Sequence, residues 1–195
     1  KDNKPKRFTT EELRRTDQTC QQPCGYQKLV LFAMLYDRAL TFEEAPYIDS
    51  RWHNMEEYTR AFLSQGELMW KEEGWSLDHD PNFFAELAYE GFNPIGLEIP
   101  FDDSAIQVLS PCFERKRCTL DCVKTHVSKR VLRLARHYTL TVDTAYDDVM
   151  LGCINQHGEA WLYRGVRWLL RTLRSRGYTG GRSVPIRPHS FELWD

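Results

Sequence analysis

The sequence has no apolar run near the roughly 18 residues that a membrane-crossing helix needs. Its longest greasy segment, "KLVLFAMLYDRAL", is interrupted by charge and reads as a buried helix. It also lacks any CxxC pair. The six cysteines (Cys20, Cys24, Cys112, Cys118, Cys122 and Cys153) include only two CxxxC spacings. Zinc sites more often use CxxC pairs with matching partners, so reduced structural thiols are expected and no metal is assigned. An even cysteine count permits disulfides, but a chain of this length does not need them. His53, His79, His126, His137, His157 and His189 are scattered, with no serine or cysteine nucleophile word beside them. "DHD" at 78–80 is better explained as a helix-capping turn than as a metal site. No closely spaced glycine loop awaits a pyrophosphate, since "RGYTGGRS" lies too early and is too turn-like. That sets aside an acetyl-CoA-dependent acetyltransferase, and no cofactor is assigned.

What is present is a globular composition, 42% hydrophobic and 13% aromatic. The net charge of −2 conceals a polarity. Residues 1–123 carry 14 Lys and Arg against 22 Asp and Glu, whereas residues 124–187 carry 12 against 4. The basic part suits phosphates and the acidic part a protein neighbour, although solvated helix faces would look the same. The chain starts at Lys1 rather than Met. A processed or trimmed product, already without any targeting segment, is therefore expected.

Residues 1–25 read as a polar arm or poorly ordered tail. Helical periodicity follows from about Tyr26 to Leu40, and again from about Met55 to Gly66. In "DHDPNFFAELAYEGFNP", Asp80 caps a helix, Pro81 fits its first position and Gly91 ends it, with Phe83, Phe84, Leu87 and Ala88 inward. "IGLEIPF" and "AIQVLSP" are short extended pieces. Ser128 caps a further helix whose inward residues are Val131, Leu134, Ala135 and Tyr138, with Lys129, Arg130, Arg133 and Arg136 on its other faces. "TLTVD" alternates like a strand. Asp143 or Thr144 then caps a helix that buries Tyr146, Val149, Met150 and Cys153. After "INQHGEAWLYRG", a third helix turns Val166, Leu169, Leu170 and Leu173 inward and stops at Gly177. "HSFELWD" alternates again.

The expected class is α+β, a helical N-terminal region followed by part of a GNAT-like acyltransferase core. From about residue 139 the order strand, helix, helix, strand matches the opening of that fold. The expected divisions are 1–80, 81–124 and 125–195.

The words "LAYEGFNPI", "RCTLD", "HVSKRVLRLARHYTLTVDTAYDDVMLGC", "QHGEAWLY" and "HSFELWD" occur in one order across residues 84–195. In that order and spacing the segment resembles the leucyl/phenylalanyl-tRNA–protein transferase family. Residues 1–80 have no counterpart there. The resemblance implies transfer of Leu or Phe from a charged tRNA to a protein's N-terminal Lys or Arg, a tag for degradation. The donor is an ester, so the chemistry is acyl transfer to an amine. That needs a proton acceptor, donors for an oxyanion and a pocket for the terminal adenosine. Trp161 matches the family's pocket tryptophan and is the substrate-binding candidate, its flat indole suited to stacking on a base. Tyr163 and Arg164 flank it. Lys129, Arg130, Arg133 and Arg136 fall where the family carries basic residues, and they are the RNA-binding candidates.

The sequence departs from the family in two places. The family's F-P-W-F word takes the form "FNPIGL", with Ile95 or Gly96 in place of its Trp. The E-S-M-F and D-C-Q words that carry the family's catalytic Glu and Gln do not occur in these 195 residues, and no catalytic residue is assigned. The expected partners are an aminoacyl-tRNA or other RNA and an acceptor N-terminus. A last strand at "HSFELWD" would also expose an unpaired edge. Either a continuation of the chain or a partner chain would complete it after Asp195. The alternative is a non-catalytic relative serving as a structural subunit of an RNA-rich complex such as a mitochondrial ribosome. The expected compartment is cytoplasmic for the enzyme and mitochondrial for the alternative.

Overall fold

In the computed structural model, the described residues are 9–16, 47–51, 53–64, 74–101, 104–114, 116, 118–180 and 185–195. The helix expected over Tyr26–Leu40 lies outside them. The architecture is α+β, with six α-helices and two separate two-stranded antiparallel sheets among these residues.

The first helix corrects the reading of residues 1–25 as a loose arm over 10–16, while residues 1–8 and 17–25 lie outside the described residues. Helix α1 (Thr10–Thr16) begins with a capping box. The Thr9 N–H donates to the Glu12 carboxylate at 2.8 Å, and the Glu12 N–H donates back to the Thr9 hydroxyl at 3.3 Å. Leu13 is fully buried in the main core, which is what holds this polar-looking segment down. Helix α2 (Met55–Ser64) agrees with the expected second helix.

Helix α3 (Pro81–Tyr89) starts and stops as its sequence dictates. The Asp80 carboxylate accepts from the Asn82 and Phe83 N–H groups at 2.8 and 3.1 Å. At its other end Gly91 takes φ 96°. The Phe92 N–H reaches the Leu87 carbonyl at 2.9 Å and the Gly91 N–H the Ala88 carbonyl at 3.2 Å, a Schellman closure that favours glycine. Phe83 and Leu87 enter one core with Ile48, Met55, Phe92 and Phe113, while Phe84 and Ala85 enter the main one. Ala88, expected inward, is exposed. Phe84 and Ala85 meet the main core one turn earlier and Leu87 enters the other core, which leaves Ala88 on the outer side of the last turn.

The two extended pieces pair with each other as strands β1 (Asn93–Phe101) and β2 (Ser104–Cys112), Asn93 opposite Cys112. Strand β2 reaches the main core through Leu109.

Helix α4 (Lys129–Ala135) has its expected cap, the Ser128 hydroxyl accepting from the Val131 N–H at 3.3 Å. Its expected burial fails. Val131, Leu134, Ala135 and Tyr138 are all exposed, because no described element packs over the helix. The order β3 (Thr139–Val142), α5 (Tyr146–His157), α6 (Arg164–Arg176), β4 (Phe191–Trp194) follows the sequence reading. β3 and β4 pair antiparallel, with Leu140 opposite Leu193 and Val142 opposite Phe191.

Helix α5 buries Tyr146, Met150 and Ile154, while Val149 and Cys153 are only partly buried. Val166, Leu169 and Leu173 of α6 are buried as expected, Leu170 is partly so, and Gly177 caps the helix. Neither expected capping residue closes α5. The Glu192 carboxylate, arriving from β4, accepts from the Thr144 and Ala145 N–H groups at 3.4 and 3.2 Å and from the Ser190, Thr141 and Thr144 hydroxyls. These donors, the Ser190 hydroxyl foremost and then that of Thr141, hold Glu192 down at a pKa of about 2.

The β3–β4 sheet is therefore inverted relative to simple alternation. Its glutamate is 5% exposed, whereas Leu140, Val142, Phe191 and Leu193 on the opposite face are 46 to 67% exposed. No described helix is long and apolar enough to cross a membrane.

Candidate functional site

Trp161 sits on a single 3-10 turn, Ala160–Leu162, between α5 and α6. The turn is fixed on three sides. Leu162 and Tyr163 anchor its far end in the main core. Strand β1 lies against it at Gly96, where a Cβ would come within 2.4 Å of the Tyr163 ring and 2.8 Å of the Trp161 carbonyl oxygen. Only a residue without a side chain allows this approach. From α6, the Arg167 guanidinium reaches Glu159 and the Leu162 carbonyl.

The indole is partly buried, and the His157 ring stands edge-on to it at 6.4 Å between centroids. Its Nε1–H is buried and has no acceptor among the described residues. A buried donor without a partner is uncommon and costs free energy of order 1–3 kcal/mol. Tyr163, by contrast, is not available to a ligand. It is fully buried, and its hydroxyl lies 2.5 Å from Nε2 of His79. Nδ1 of His79 faces the Leu77 carbonyl at 3.1 Å and must donate there, so the tyrosine hydroxyl donates to Nε2.

Two sets of basic residues differ in a way that the sequence does not distinguish. Three arginines of α6 are neutralised: Arg167 by Glu159, Arg171 by Asp147 and Arg174 by Asp143. Burial pushes Asp147 upward, but hydrogen bonds from Arg14 and Arg171 outweigh it and hold the carboxyl below its ordinary range. Asp143 is held low first by His189 and then by the Ser190 N–H, with Arg174 adding to both. It adopts φ 62°, a left-handed conformation that Asp tolerates better than most residues. Arg14, Arg171 and Arg174 line a cleft of about 440 Å³ at the start of α5 together with Asp143 and Asp147, so that each arginine there faces a carboxylate.

Lys129, Arg130, Arg133 and Arg136 differ from these. All four are exposed, and none has a carboxylate partner among the described residues. They project from α4 and the turn after it, three residues before β3 begins. No group of three or more His, Cys, Asp or Glu side chains among the described residues could hold a metal ion. The exposed thiols of Cys118 and Cys122 belong to no such group.

No family model, curated protein or solved structure matches this chain.

Sequence reasoning missed Arg167, His79 and Glu192. Arg167 carried a faint signal, since a charge interrupts the inward stripe of α6 beside Val166. His79 and Glu192 carried none, because their partners lie 84 and up to 51 residues away.

Proposed function

We propose that the chain binds the aminoacylated 3′ end of a tRNA and belongs functionally with the leucyl/phenylalanyl-tRNA–protein transferases, which pass Leu or Phe to an N-terminal Lys or Arg. The observation that carries this reading is the set of exposed cations on and beside α4 that have no carboxylate partner among the described residues. Phosphate is the ligand that such a set suits. Two further features support it. Trp161 offers a partly exposed indole on a turn held by the core, by β1 and by Arg167. The family's second pocket position, here Ile95 or Gly96, lies on β1 against that same turn. The β3–α5–α6–β4 order with its antiparallel strand pair is consistent with the start of a GNAT-like core. None of the described residues is assigned the proton transfer or oxyanion stabilisation of acyl transfer, so the reading concerns holding the substrate.

The test is transfer from Leu-tRNA or Phe-tRNA to a peptide beginning with Arg, together with tRNA binding over a salt series. Tight binding with a steep salt slope is expected, and reversing Arg130 and Arg133 to Glu lowers the slope by roughly one per cation. Unchanged binding in that double variant overturns the reading.

The uncovered apolar face of β3–β4 favours a second reading, a structural subunit of an RNA-rich assembly. Contiguous exposed apolar surface marks interaction sites. Recovery of the native protein only in a stoichiometric complex with RNA, with no transfer activity, would decide for it.

A further inference from the structure

Arg167 is one of the most deeply buried side chains of the protein, 1% exposed although it carries a full charge. Burying a guanidinium is costly unless its hydrogen bonds are made. Here one nitrogen, Nη1, makes two of them, to the Glu159 carboxylate at 2.8 Å and to the Leu162 carbonyl at 2.7 Å. These acceptors bracket Ala160 and Trp161. The arginine therefore spans the whole turn from inside, tying both of its ends to α6.

A single 3-10 turn has little rigidity of its own, since its hydrogen bonds are few and poorly aligned. The Leu162 N–H to Glu159 carbonyl bond at 3.1 Å closes this one. Sequence pattern would place an aliphatic residue at a buried position beside Val166. An apolar side chain would fill the space and could anchor neither acceptor. Arg171 and Arg174 pair with aspartates that lie on other elements and hold no such turn.

We infer that Arg167 is a positioning residue that sets the orientation of the Trp161 indole for a stacked base, here the unpaired 3′-terminal adenosine of an RNA. This rests on the reading of Trp161 as the base-stacking residue. Arg167 itself touches no ligand. Because a single nitrogen makes both contacts, a lysine ammonium can replace much of its function.

The experiment is a double-mutant cycle on RNA binding. The probe is a synthetic RNA hairpin with a single-stranded 3′ end finishing in adenosine, and the control is the same hairpin with a blunt end. Stacking on an aromatic ring is worth enough that Trp161→Ala weakens binding of the tailed hairpin about tenfold. Arg167→Met is expected to lose most of that tenfold, and to add nothing further in the Trp161→Ala background. Arg167→Lys is expected to recover most of the affinity. Binding of the blunt hairpin, held by the α4 cations, stays unchanged in all four variants.

The inference is overturned if Trp161→Ala weakens binding while Arg167→Met does not, or if the two losses multiply in the double variant. If Trp161→Ala binds as the wild type does, the stacking reading fails and the inference falls with it, a different pattern of results. Should Arg167→Met not fold, Glu159→Gln keeps the Leu162 contact. It is expected to lose a smaller part of the affinity for the tailed hairpin, and no loss there overturns the inference.

Discussion

Replacing Tyr163 by Phe removes one oxygen from the centre of the molecule and nothing else. The hydroxyl joins His79 at 2.5 Å, with the two residues 0 and 1% exposed, so water does not replace the lost donor. The ring keeps its fit between Gly96 and Gly165, whose missing Cβ atoms would each lie within 2.5 Å of it. The cost is therefore polar rather than steric. His79 Nε2 loses its donor, and such a loss costs about 1–3 kcal/mol in a buried site. For a chain of this size each kcal/mol lowers Tm by roughly 2–4 °C, so a fall of about 2–12 °C is expected in a thermal melt followed by circular dichroism. Replacing His79 by Leu in the same background removes the stranded acceptor but also the Nδ1–H that serves the Leu77 carbonyl, so it should return no more than part of the lost stability. A Tyr163→Phe melt within 1 °C of wild type would refute the assignment of this bond as a buried, water-free link between the His79 turn and α6.

Gly96→Ala forces a Cβ against the Tyr163 ring and the Trp161 carbonyl, and should cost about 1–3 kcal/mol by overpacking; an unchanged melt with unchanged tryptophan emission would contradict the close approach of β1. Glu192 has its folded pKa depressed to about 2 from its ordinary value of about 4.5. Its contribution is therefore complete above pH 4.5 and is lost as pH falls toward 2. Glu192→Gln should lower Tm at pH 7 and flatten the acid limb of a Tm-against-pH curve across that window, and parallel curves would count against the capping role. Reversing Arg130 and Arg133 to Glu should leave Tm nearly unchanged, since both are exposed and unpaired among the described residues. A fall of several degrees would mean that α4 packs against something after all.

The sequence was most legible where structure is local. Asp80, Pro81 and Gly91 mark both ends of α3 because caps and left-handed closures are satisfied within four residues. Ser128 and Gly177 are read for the same reason. The helical stripe of α6 was legible because 3.6-residue periodicity reports a buried face directly. Periodicity failed on α4, where Val131, Leu134 and Tyr138 form the same pattern and stay exposed. A stripe records which face would be buried and is silent on what covers it. The site was legible only in its residue types. Trp161 and the α4 cations stood out in the sequence, but separating those cations from the neutralised arginines of α6 required the positions of Asp143, Asp147 and Glu159.

What the sequence determined alone is the order of the described elements from α2 onward, the ends of α3, the start of α4 and the end of α6, the α+β class and the basic character of residues 124–187, all consequences of short-range backbone chemistry and composition. Tertiary structure alone decided the rest. It packed α3 between two cores and brought Gly96 of β1 against the turn that carries Trp161. It put Glu192, rather than the strand's leucine and phenylalanine, on the covered face of β3–β4, where its carboxylate accepts from the Ala145 N–H at the start of a helix more than forty residues earlier. Burying a charge in this way is favourable only when enough donors converge on it, and where they converge is a property of the folded chain.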